Sequence, residues 1–156
     1  MMSYEQIYGN LVRQRKAAEL LHTLLEEEFT LLRENKTEEV VALEFSIHEL
    51  LRQIAAERLS IKEVMQNTRV AEYADMLGPE QSAETKAWLK AMEGAEPASS
   101  RQAIHNTRLS RALLDQGQEL LDYLQEQVKP KDEVVYGSKG VFRSHRPNAA
   151  IFSGRL

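Results

Sequence analysis

The sequence predicts an all-α protein: an elongated antiparallel helical bundle of three long helices plus one short helix, with an irregular basic C-terminal tail. Three observations predict it. Apolar residues recur at spacings of three and four through the first 128 residues, the period of an amphipathic helix. The prolines, Pro79, Pro97, Pro130 and Pro147, lie beyond the long amphipathic stretches, where a missing N–H costs least. Past Val128 the leucine pattern gives way to glycine, arginine and aromatic residues. With 156 residues, 42% of them hydrophobic, the chain suits one continuous core, divided into a helical body over residues 1–128 and a flexible partner-binding tail over 129–156.

The first helix is expected from Tyr4 to Arg33, with Ile7, Leu11, Ala18, Leu21, Leu25 and Leu32 on one face and Asn35 at its end. Thr37 is placed to cap the second helix, and Glu38 and Glu39 suit the positive end of its dipole. In that helix Val40, Leu43, Ile47, Leu50, Ile54, Glu57, Ile61 and Val64 alternate spacings of three and four, a heptad seam broken only by Glu57. Leu51 and Met65 widen the stripe, as a bundle with several neighbours requires. The helix can continue to the stop at Gly78-Pro79, with a break near Asn67. A short helix is expected over Ser82–Met92, ending in GAEPASS.

The last helix is expected from a cap at Ser99 or Ser100 to Val128, before Pro130. It carries two apolar stripes: Leu109, Leu113 and Leu120 form one, and Leu114, Leu121, Leu124 and Val128 the other. A helix with two stripes has two things to contact. One is the bundle; the other is a docking face on its C-terminal half.

Charge is unevenly distributed. Residues 1–128 hold 14 Lys/Arg against 22 Asp/Glu, a net of −8, whereas the tail from Lys129 nets +4. A basic tail on an acidic body can dock on that body or reach for an acidic partner.

Catalytic and cofactor chemistry finds no foothold. Cysteine is absent, which removes disulfides, zinc-thiolate sites and thiol nucleophiles. No phosphate-cradling or dinucleotide-binding glycine motif occurs, and neither GxSxG nor HExxH is present. A di-metal helical bundle needs two ExxH elements, and Glu19 to His22 supplies one. The reading is therefore not an enzyme, with no cofactor and no metal. The tail's Arg and Lys beside Tyr136, Phe142 and Phe152 raise nucleic acid as a partner, but the acidic body and modest tail charge argue against it. The longest apolar runs fall far short of the roughly 20 residues that span a bilayer, so stable membrane insertion is not expected and a cytoplasmic location is.

The ordered elements resemble the FlgN family of flagellar type III export chaperones. LLEEEFTLLRENKTEEVVALEFSIHELLRQIAAER is similar to the family's N-terminal signature, a Glu-rich leucine helix, a polar turn and a regular leucine repeat ending here at Arg58. VAEYADMLGPEQSAETKAWLKAM is similar to its middle section and HNTRLSRALLDQGQELLDYL, beginning at His105-Asn106, to its last helix. YGSKG, Tyr136 to Gly140, matches the Tyr-Gly-x-x-Gly element that follows. His48 stands where the pattern has lysine, and the segment after Gly140 extends beyond it.

The resemblance implies a cytoplasmic chaperone, without ATP hydrolysis, that binds the C-terminal helical region of hook-filament junction (hook-associated) proteins and escorts them to the export gate. It also suggests Tyr136 as the export-gate contact. For the client, the residues indicated are Leu120, Leu121, Leu124 and Val128 on the last helix, with Val141, Phe142, Ile151 and Phe152 in the tail. Ordering each tail residue costs about 1 to 2 kcal/mol of backbone entropy. The tail has eight large apolar side chains, each returning about 1.5 to 3 kcal/mol on full burial, so it is expected to order on a partner rather than alone. An adaptor bundle whose basic tail tethers an acidic partner stays open at this point, as do a monomer and a homodimer, and the identity of the client.

Overall fold

The computed structural model describes residues 3–129. They form four helices and, among the described residues, no strand: α1 (Tyr4–Arg33), α2 (Thr37–Val64), α3 (Val70–Asp75) and α4 (Pro79–Val128).

Local chemistry sets each boundary. Ser3 opens α1 with a capping box, its hydroxyl accepting from the Gln6 amide while the Gln6 side chain accepts from the Ser3 amide. α1 closes through a Schellman turn: the Lys36 amide donates to Leu31 O at 3.0 Å and the Asn35 amide to Leu32 O at 3.2 Å. Asn35 takes the left-handed conformation this turn needs, with φ 56°. Because the chain re-enters a helix at once, Lys36 becomes the cap of α2 without a side-chain bond, and Thr37, expected there, is already the first helical residue. α2 ends on the same device. Gln66 (φ 50°) and Asn67 (φ 64°) are left-handed, and their amides return to Glu63 O and Lys62 O.

Two expectations about the middle of the chain are corrected. The short helix is Val70–Asp75, not Ser82–Met92, and Pro79 starts α4 instead of stopping what precedes it. Proline suits a first helical position, where its absent N–H would have no partner anyway. Pro97, expected in a break, lies inside α4. It removes one main-chain bond, but buried residues fasten the helix on both sides, Trp88 and Met92 before it and Ser99 and Asn106 after it. The cap expected at Ser99 or Ser100 is therefore absent, and Asn106 lies in mid-helix.

α1 and α2 form an antiparallel hairpin. Near its open end Arg13 holds Glu57 through two bonds, Nε to Oε1 at 2.6 Å and a terminal guanidinium nitrogen to Oε2 at 3.0 Å, while Asn10 donates to the Glu57 carbonyl at 3.0 Å. α4 runs parallel to α1 at a nearly constant offset: Tyr4 bonds Glu84, Trp88 bonds Leu11 and Asn106 bonds Leu25. The core consists of Ile7, Leu11 and Ala18 from α1, Ile61 and the cap residue Met65 from α2, and Trp88 and Met92 from α4, flanked by Val70 and Tyr73 of α3. Farther along the hairpin Leu25, Ile47, Leu50 and Ile54 are buried. Val40 and Leu43 at the start of the seam are half-buried, and Leu51 is exposed. Packing divides the chain into a unit ending at Ala112, to which all these contacts belong, and a second unit beginning at Leu113.

Candidate partner-binding face of the last helix

Residues 113–128 make up the α4 part of the second unit, and their sequence, LLDQGQELLDYLQEQV, is sorted by face. At about 100° per residue, Leu113, Leu114, Gly117, Leu120, Leu121, Leu124 and Val128 fall within an arc of about 120°. The acidic residues Asp115, Glu119, Asp122 and Glu126 lie on the opposite side, with glutamines between. No lysine or arginine falls in the stretch.

The four α4 residues singled out from sequence are all open to solvent: Leu120 58%, Leu121 54%, Leu124 48% and Val128 69% exposed. Leu114 and Tyr123 are exposed beside them. Leu109 and Leu113 are half-buried, so the first of the two expected stripes is partly covered and the second is open. Gly117 sits inside the apolar arc, and a Cβ built there would meet nothing within 4 Å, leaving a notch between Leu113 and Leu120. Such a face can hold the apolar stripe of another helix, but it offers no nucleophile, base or ligand set for chemistry. Val141, Phe142, Ile151, Phe152 and Tyr136 lie outside the described residues.

Two clefts lie elsewhere on the described residues. One cleft is lined by Tyr8, Val12, Lys16 and Trp88, another by Ile61, Met65, Val70 and Leu89; neither includes a sequence-predicted site residue. His22 Nε2 lies 3.3 Å from a Glu26 carboxylate oxygen and Glu19 bonds Arg15 at 2.9 Å, so both ends of the ExxH element have a neighbour on α1 itself. Among the described residues no three His, Asp or Glu side chains converge as a metal site would need, and no helix is long and apolar enough to cross a membrane.

What sequence reading missed is polar and internal. Asn10, Gln14, Glu28 and Asn106 are buried, and Gln14 donates to Asn10 Oδ1 at 2.7 Å. The signal was available on α1, since Asn10, Gln14 and Glu28 share the face of Ile7, Leu11, Ala18 and Leu25. Two of these layers perturb carboxyl groups in opposite directions. Hydrogen bonding to Arg13 holds Glu57 below the usual carboxylate range. Burial, with Glu44 close by, pushes Glu28 up to about 7.

The family model described as FlgN protein matches residues 1–143, which takes in the whole helical bundle, the open face of α4 and the Tyr136–Gly140 element, and stops short of Ile151 and Phe152. No curated protein matches the chain, and no solved structure does. A match across nearly the full length places these helices among the flagellar export chaperones, and the chain belongs to the FlgN family.

Proposed function

We propose that this chain is a cytoplasmic chaperone that binds the C-terminal helical region of hook-filament junction proteins, keeps them soluble, and escorts them to the type III export gate. The observation that carries the reading is the open apolar arc of Leu114, Leu120, Leu121, Leu124 and Val128, backed by four acidic residues. An amphipathic client helix lays its own stripe on such an arc, and Gly117 admits a bulky side chain from it. Val141, Phe142, Ile151 and Phe152 then close over the client from the tail, and Tyr136 is the contact to the gate. Burial of apolar surface on both partners supplies the affinity, while the entropy of ordering the tail keeps it modest enough for release.

Titration with the C-terminal helical region of a hook-associated protein tests this. Leu121→Asp with Leu124→Asp puts two charges in the arc, and client affinity should fall at least 10-fold with the melting temperature unchanged. Truncation after Val128 should also weaken the client complex. Undiminished binding by both variants would refute the assignment. If the truncated chain kept its client but lost capture of polyglutamate, the tail would instead be an acidic-partner tether.

A further inference from the structure

We propose that the cleft formed by the end of α2, the start of α3 and Leu89 of α4 is a second docking site, which takes an acidic segment of a partner protein carrying a large apolar side chain. The cleft lies wholly within the unit ending at Ala112, whereas the open α4 face belongs to the second unit. The inference therefore goes beyond the client reading, and neither depends on the other.

The floor of the cleft is apolar and its edge is cationic. Ile61 and Met65, both 7% exposed, meet Val70 and Leu89 around a volume of about 460 Å³. Ordinary ligand pockets span roughly 300 to 1,000 Å³, so the hollow has room for a leucine or phenylalanine side chain. Lys62 and Arg69 line it as exposed residues, and no acidic side chain lines it with them. Among the described residues no ion pair uses either cation. Glu72 accepts from the Arg69 main-chain amide at 3.3 Å, which leaves the guanidinium to solvent. Two unanswered cations stand out on a body with 22 Asp/Glu against 14 Lys/Arg. In the cleft between α1 and α4, by contrast, Arg15 and Lys16 share the lining with Glu19 and Glu84, and charge balances inside it.

The edge is also built in advance. Gln66 and Asn67 are left-handed, with φ 50° and 64°, a conformation unfavourable to residues other than glycine. Main-chain bonds hold it: Gln66 donates to Glu63 O at 3.1 Å, Asn67 to Lys62 O at 2.9 Å and Thr68 to Met65 O at 2.9 Å. The turn brings Arg69, Val70 and Ala71 to the same hollow as Leu89. A partner thus meets a formed surface and little ordering entropy is lost on binding.

Charge and exposure select the occupant. Cations beside an apolar hollow favour carboxylates that flank an apolar side chain, and the Arg69 fork can grip one carboxylate through two N–H groups. This chain's own tail nets +4, the wrong sign for that edge. Asn67, Ala71 and both cations are exposed, so a small molecule would stay largely in solvent, whereas a protein segment covers the mouth with the rest of its surface.

The test uses the full chain with isotope-labelled methyl groups and two synthetic peptides, one repeating leucine-leucine-glutamate-glutamate and a twin with lysine for glutamate. The acidic peptide should shift the Ile61, Met65, Val70 and Leu89 methyl signals, and the lysine twin should not. Lys62→Glu with Arg69→Glu should weaken the acidic peptide roughly 10-fold or more. Ala71→Trp, which fills the mouth from an exposed position on α3, should do the same, and both variants should melt with the wild type. Equal affinity of the charge-reversed chain and the wild type would overturn the proposal. So would cleft signals that answer both peptides alike, or shifts confined to Leu120, Leu121 and Leu124. If the cleft signals move when the protein alone is concentrated, and charge reversal stops the movement, the occupant is a second copy and the partner assignment falls. Should the double variant not fold, Ala71→Trp decides: peptide binding as tight as that of the wild type overturns the site.

Discussion

The indole of Trp88 donates its Nε1–H to the main-chain carbonyl of Leu11 at 2.5 Å, tying α4 to α1 in the middle of the core. The bond adds direction to a contact that is otherwise apolar, since both residues are buried and Met92 and Ile61 belong to the same cluster. Trp88→Phe should cost about 1 to 3 kcal/mol, because it removes one buried bond and part of the ring. Trp88→Ala should cost about 3 to 5 kcal/mol through the cavity it leaves. Urea midpoints of the two variants check the ranking, and equal midpoints would mean that the indole is not part of the core.

Adjacent residues on α2 provide a sharper test of helix phase. Leu50 is 8% exposed and Leu51 44%. Leu50→Asp places an unpaired charge in the bundle and should cost several kcal/mol. Leu51→Asp should change stability by about 0.5 kcal/mol or less. Thermal melts of the pair would contradict the helix phase if the order were reversed.

Glu57 should dominate the acid limb of the stability profile. Arg13 and Asn10 favour its ionised form and hold it below the usual range, so the stability it adds is present above the unfolded value and lost as pH falls through the folded one. Glu57→Gln should therefore flatten the profile on the acid side of about 4.5 while leaving the neutral limb unaltered. Unfolding midpoints between pH 3 and pH 5 provide the check, and an acid limb as steep as that of the wild type would speak against the Arg13 contact.

On the proposed function, Tyr136→Ala should separate gate from client. An amphipathic ring at an interface centre is worth about 1 to 3 kcal/mol on truncation. Parallel titrations should show that loss against the cytoplasmic domain of the export gate and a smaller one against client. Equal gate affinities for variant and wild type would remove Tyr136 from that role, and a loss confined to client would move it to the client site.

The hairpin was legible in the sequence because α1 and α2 are long, regular and closed by turn-forming residues. Ile7, Leu11, Ala18 and Leu25, and then Ile47, Leu50, Ile54 and Ile61, are buried as their spacing implies. The region around Pro97 was not legible. Gly94, Pro97, Ser99 and Ser100 look like a loop by propensity, yet tertiary anchors on either side carry the helix through them. Leu51 failed for another reason: with small residues and glutamates around the seam, spacing alone sets the stripe's centre better than its width. Glu28 and Asn106 escaped because a period counted in apolar residues passes over polar ones. Of the partner face, the α4 residues could be read as a stripe, but a stripe in sequence looks the same whether covered or open.

The offset between α1 and α4 has a consequence for how the protein is made. Trp88 and Asn106 find their partners Leu11 and Leu25 across 77 and 81 residues of chain. At ribosomal speeds of about 5 to 20 residues per second, the hairpin, complete at Val64, waits roughly 1 to 6 s for Trp88 and Met92, which complete its core. Through that interval Leu11, Ile61 and Met65 lack their cover of Trp88 and Met92. The nascent chain of this chaperone thus passes through a stage in which it is itself a candidate for another chaperone's care.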